Sequence, residues 1–221
     1  MLHEASAPAL VKTERTRGAA FESQPIDPRL FARELRDVSH NVRVAGEAKL
    51  LDTPPVTVEV DQLEDHTTAF VFREREGVRL TSRLSCGITE PGHYTAAALR
   101  RASATLAPQA VDSFLIHSDT EFGKYGGPMG TPSYILEMTI VFPQPVVAVL
   151  THTDQMVASD ALLGSPATRY DAYAGRSLVE RSSTGESVAE LWLSEDRRTL
   201  RVTMHASNVD QLRVLTESDA Y

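Results

Sequence analysis

The densest apolar stretch of the chain, residues 133–154, is interrupted by Pro143 and Pro145. Proline has no amide hydrogen for a ladder, so the break reads as a turn. The pattern predicts strands over 133–142 and 146–154, joined by Pro143-Gln144-Pro145 into a hairpin that pairs Phe142 with Val146. One face of that hairpin carries Tyr134, Leu136, Met138, Ile140 and Phe142 beside Val146, Ala148, Leu150, His152 and Asp154. A second hairpin is expected from Thr67–Glu74 and Val78–Ser85 around Arg75-Glu76-Gly77, pairing Phe72 with Leu80 and Thr68 with Leu84. Toward the C-terminus, Ser194-Glu195-Asp196-Arg197 sets Leu191 against Leu200 and Ala189 against Val202. The turn Ala206-Ser207-Asn208 then sets Val202 against Leu212 and Leu200 against Val214, giving one consistent apolar face. Trp192 and His205 fall on the opposite, solvated side. Shorter strands are read at Val42–Val44, Val56–Val60, Val111–His117 and about 175–183, where Leu178 and Val179 leave the register open.

Helical signals are fewer. Asp27-Pro28 supplies an N-cap and a favoured first position for a helix over 28–39, with Leu30, Phe31, Leu35 and Val38 on one stripe. The alanine-rich segment 94–107 starts after Pro91-Gly92 and stops before Pro108, which predicts a second helix. A third, over Gln155–Gly164, ends at Gly164 and Pro166. Strands and helices do not alternate, so a doubly wound sheet is excluded. The expected fold is mainly β (α+β): a curved antiparallel sheet or a barrel similar in general architecture to calycin-type barrels, with two or three short helices. The alternative is a hotdog-like sheet wrapped around helix 94–107. Residues 1–26, small, polar and aperiodic, read as a flexible arm ahead of one β-rich domain over 27–221.

Composition narrows the picture. Of 221 residues, 42% are hydrophobic and 24% charged, a globular balance with enough chain for a continuous core. A net charge of −8 removes electrostatic support for nucleic acid or an anionic membrane as partner. Cys86 is the only cysteine, so there is no intrachain disulfide and no multi-cysteine metal centre; it reads as a buried structural thiol in a cytoplasmic protein. No run reaches the about 18 apolar residues of a membrane span, and no apolar segment near the start has the form of a secretory signal.

Chemistry is sparse. Val111–Asp119 and Val146–Asp154 match at Val, Leu, His and Asp, each ending an apolar strand in His-x-Asp. Residues two apart on a strand share a face, so each carboxylate can orient or charge its histidine. His152, Asp154, Tyr134, His117 and Asp119 are therefore the candidate catalytic groups, and a metal site from the two histidines and two carboxylates is a minor variant. The glycine-rich stretch 121–132 lacks the Gly-Lys-Ser/Thr of a P-loop and leads into a strand, so it reads as a flap rather than a phosphate cradle. With Lys124 and Tyr125 from that flap, Leu136, Glu137 and Met138 complete a candidate ligand-binding set. Two functions follow: a pocket protein, extending to an acid/base enzyme (isomerase, cyclase, dehydratase or decarboxylase), for a small, largely apolar lipid- or polyketide-like molecule, or an assembly protein whose arm and sheet edges meet other subunits. No cofactor is implied, and self-association as a homo-oligomer is left open.

Overall fold

Alternation along each strand divides its side chains into two sets, and in the computed structural model the two sets meet different partners. The structure describes residues 42–65, 67–119, 134–171, 176–178, 189–206 and 209–219, all within one unit, His40–Tyr221. The first sheet has five strands in the order β1 (Arg43–Gly46), β8 (Tyr134–Val141), β11 (Thr199–Ala206), β10 (Glu190–Leu193) and β5 (Gly92–Thr95). The second runs β2 (Ala48–Leu50), β3 (Ala69–Arg79), β7 (Ala110–Ser118), β12 (Asp210–Glu217) and β9 (Val146–Leu150). A two-stranded ribbon pairs β4 (Leu84–Cys86) with β6 (Ala104–Leu106). Of these strand pairs only β2 with β3 is parallel. The helices among the described residues are α1 (Ala96–Leu99) and α2 (Thr153–Leu163). None in the described residues is long and apolar enough to cross a membrane.

The two sheets pack face to face. Leu136, Met138 and Ile140 of β8, with Leu200, Val202 and Met204 of β11, meet Val71, Phe114, Ile116, Leu212 and Val214 of the second sheet. The rings of Phe114 and Phe142 meet edge to face, with centroids 5.3 Å apart. The other face of the second sheet is buried as well: Phe72, Leu115, Ala148, Leu150 and Leu215 lie with Met156 and Leu163 of α2 and with Cys86 and Leu106 of the ribbon. Each leucine, phenylalanine or methionine among them contributes about 1.5–3 kcal/mol when fully buried. Burial on both faces is why β9 reads as an unbroken apolar run.

The architecture is thus mainly β, with antiparallel curved sheets that are not closed into a barrel. The expected hairpin over 133–154 does not form. Pro143-Gln144-Pro145 instead carries the chain from the first sheet to the second, and the amides of Phe142 and Val146 donate to Arg198 O and Arg197 O, at 2.8 and 2.7 Å. Leu136, Met138, Ile140, Phe142 and Val146 do share the inter-sheet core, but Val147 is an extra residue opposite β12, and this bulge turns Ala148 and Leu150 to the outer side. The hairpin expected at Arg75-Glu76-Gly77 is one continuous strand, β3, with bulges there. Gly77 lies at φ 65° and donates its amide to Asp112 Oδ1 at 2.8 Å.

The β10–β11 hairpin forms, but its register is two residues from the expected one: Leu191 meets Val202 in place of Leu200, and Leu193 meets Leu200. The cause is Ser194, whose amide reaches Thr199 O at 3.0 Å, while Arg197 takes φ 59° in the loop. β11 and β12 belong to different sheets, so Val202 and Leu212 share the core across the layers instead of pairing in-plane. Helix 94–107, and with it the hotdog-like alternative, gives way to β5, α1 and β6. Thr95 caps α1, but pairing of the flanking segments with β10 and β4 outweighs alanine's helix propensity. Residues 56–60 form no named strand, only a bridge between Thr57 and Arg169. The third expected helix is α2. The arm over 1–26, helix 28–39, flap 121–132 and most of 175–183 lie outside the described residues.

Candidate functional site

β7 places His117 on the outer face of the second sheet, fully buried. Arg176 Nε donates to Gln211 Oε1 at 2.7 Å, which turns the Gln211 amide nitrogen toward His117 Nδ1 at 2.9 Å. Arginine only donates, so the amide donates to Nδ1 and the imidazole proton sits on Nε2. Burial and then the Arg176 charge push the His117 pKa down to about 3, against a smaller opposing effect of the Leu63 backbone. Asp119, two residues on, is 1% exposed. Burial, then the Asp61 carboxylate and Glu64, push its pKa up to about 6, with partial relief from the backbones of Asp61 and Gln62.

His152 is not on a strand. It is the N-cap residue of α2, half-buried, and its Nε2 lies 3.0 Å from Leu99 O, so the ring donates to the last turn of α1. Asp154 is exposed in the first turn of α2, where its carboxylate accepts from the Gln155 amide at 2.9 Å and complements the helix dipole. No hydrogen bond or ion pair among the described residues joins the His152 pair to the His117 pair. Tyr134 begins β8 in the other sheet, and only its backbone is described. Leu136 and Met138 are sealed in the inter-sheet core, whereas Glu137 faces solvent. Lys124 and Tyr125 lie outside the described residues. The candidates whose side chains are described therefore do not converge on one place.

Two features escaped the sequence reading. The first is a buried charge network beneath α2. Arg213, wholly buried, holds Glu74 with two hydrogen bonds of 2.6 and 2.8 Å and Asp160 with one of 2.8 Å. Arg176, 1% exposed, grips the same Asp160 through both carboxylate oxygens. The Tyr170 ring lies against both guanidinium groups, 5.4 and 5.7 Å from its centroid. Two arginines and two carboxylates balance in charge, and Ser113 Oγ donates to Glu74 as well. This network fastens the helix to the sheet, and it has the satisfied hydrogen bonding that buried charges require.

The second feature is a cleft of about 450 Å³ at one end of the sandwich. Its origin is visible in the inward-facing rows. On β3 the row Ala69, Val71 continues to Arg73; on β7, Ile116, Phe114 continues to Asp112; on β12, Leu212, Val214 continues to Thr216. Where the core row turns polar, the sheets stop being cemented and a space opens. Val42, Leu50 and Phe114 form its apolar side, with Asp52, Glu76, Asp219 and Gln144 around it. Arg73 pairs with Glu76 at 3.2 Å, Asp112 accepts from Gly77, and Asp219 accepts from Gln144. A shallower depression of about 350 Å³ lies beside α2, but its Arg75 is occupied in capping the helix, donating to Gly164 O at 2.8 Å.

Among the described residues no three His, Cys, Asp or Glu side chains are arranged to hold a metal ion. Cys86 is buried, and burial pushes its thiol up to about 11, so it is a packing group. No family model, curated protein or solved structure matches the chain, so the function is read from these residues alone.

Proposed function

We propose that this is a small-molecule-binding protein whose site is the cleft at the open end of the sandwich. The observation that carries the reading is the cleft's combination of about 450 Å³, an apolar side and a few polar groups, within the roughly 300–1,000 Å³ of ligand pockets. Proton transfer by the two histidines is not part of it. The His152 Nε2–H is engaged by Leu99 O, and His117 is sealed and neutral. A lone buried cysteine agrees with a cytoplasmic location.

The test is a panel of small, largely apolar molecules, read by thermal shift and ligand-observed NMR. Saturable binding is expected, and Leu51→Trp, which places a large ring at the cleft, should abolish it while leaving the circular dichroism spectrum intact. Absence of saturable binding to the unmodified chain, or binding unchanged by the substitution, overturns the reading. The competing reading, self-association or assembly, is favoured by one observation: α2 turns Val157 and Leu162, 40% and 42% exposed, to solvent. Sedimentation velocity on the same samples decides it, since concentration-dependent dimers lost in Val157→Glu/Leu162→Glu would support assembly, and a monomer throughout would exclude self-association by this face.

A further inference from the structure

Resting on the reading of this cleft as the ligand site, we infer that its ligand is an organic cation: a protonated amine carried on an apolar body.

The argument begins with charge. The cleft is lined by four carboxylates, Asp52, Glu76, Asp112 and Asp219, and by one guanidinium, that of Arg73. Arg73 is already paired with Glu76. The hydrogen-bond donors that reach Asp112 and Asp219 are the Gly77 backbone amide and the Gln144 side-chain amide, both neutral. No cationic side chain among the described residues pairs with Asp52, Asp112 or Asp219. Amide donors satisfy hydrogen bonds without cancelling charge, so the field in the cleft stays negative.

The second strand of argument is independent of the acidic groups. Val42 and Phe114, both under a tenth exposed, and the half-buried Leu50 form a wall continuous with the inter-sheet core. Thr216 also lines the cleft at 1% exposure, beside Asp112 on the β7–β12 ladder, and its hydroxyl makes no hydrogen bond to the described residues. A free hydroxyl oxygen next to a carboxylate suits an ammonium group, which has three donors and no acceptor. The apolar wall excludes water, which strengthens attraction between the ammonium and Asp112. A carboxylate or phosphate ligand would meet the same field as repulsion. A neutral ligand would gain the wall but not the charge.

The test uses the whole 221-residue chain and three probes of similar shape: 2-phenylethylamine, 2-phenylethanol and 3-phenylpropanoate at pH 7, titrated by chemical-shift perturbation and calorimetry. The amine should bind at least about tenfold more tightly than the alcohol, and the carboxylate more weakly than either. Raising the ionic strength should weaken only the amine. Asp112→Asn, which keeps an oxygen for the Gly77 amide, should bring amine affinity down to that of the alcohol; the exposed Asp52→Asn should do so in part and serves if Asp112→Asn does not fold. Equal affinity of amine and alcohol, both lost in Leu51→Trp, would overturn the cation inference and leave the cleft as a site for neutral molecules. Binding of none of the three would count against the cleft as a ligand site altogether.

Discussion

His117 and Asp119 titrate in opposite senses, so their effects on stability oppose each other over a shared window. The folded-state pKa of His117 is depressed, to about 3 from 6.5. The unfolded chain therefore binds the extra proton, and stability that is full above about pH 6.5 falls progressively below it. The folded-state pKa of Asp119 is raised, to about 6 from 3.8. Here the folded chain binds the proton more tightly, and stability gained at low pH is lost as pH rises through about 6. Between about pH 4 and 6 the two slopes cancel in part. Asp119→Asn removes one of them. The variant should lose stability more steeply than the parent on acidification from pH 6 to 4, and should equal or exceed it at pH 7. Chemical denaturation at pH 4, 5, 6 and 7 measures this, and parallel pH profiles would contradict the assignment. The His-x-Asp spacing drew attention to both residues, but it carried no sign of burial. His117 is sealed because Arg176 and Gln211, distant in sequence, close over it, and no local pattern encodes that.

Elements were legible to the extent that they depend on alternation and local turn chemistry. α2 and the β10–β11 hairpin were readable because a glycine stop and a short polar loop act over a few residues. The hairpins expected at Pro143-Gln144-Pro145 and at Ala206-Ser207-Asn208 were misread for one reason: a period of two tells which face of a strand is buried, but a connection between stacked sheets buries the same faces as a turn within one sheet. Leu136, Ile140, Val202 and Leu212 were thus assigned to the core correctly with the wrong neighbours. The corner between β1 and β2 is a third such crossing, and Gly46 makes it. It lies at φ 79°, and a Cβ there would stand 2.4 Å from Glu137 O on β8. Gly46→Ala should destabilise the fold by about 1–2 kcal/mol from the left-handed backbone alone, and further from the clash, because the obstructing atom is backbone. A denaturation midpoint unchanged by this substitution would show that the corner is not constrained as described.

At the scale of the whole molecule, the sandwich is asymmetric, and its stability should be distributed accordingly. Composition and alternation indicated an antiparallel β fold, but not that one sheet would be covered twice; that depends on the ribbon and on α2, the helix being held by Arg213, Glu74 and Asp160 from three separate parts of the chain. In the second sheet, β7 lies between β3 and β12, and β12 between β7 and β9, with apolar layers on both faces. In the first sheet, β5 is an edge strand of four residues, with His93 and Thr95 exposed. Opening β5 breaks pairing with β10 alone and exposes little apolar surface, whereas opening β12 separates three strands and uncovers both cores. Native-state hydrogen exchange should therefore show amides of Ile116, Val214 and Leu215 exchanging only through global unfolding, with free energies equal to that from denaturation. The ladder amides of β5 should open locally, at free energies lower by several kcal/mol and with little dependence on denaturant. Protection in β5 equal to that in β12 would mean that the two sheets unfold as one unit and that coverage on both faces does not set the order of opening.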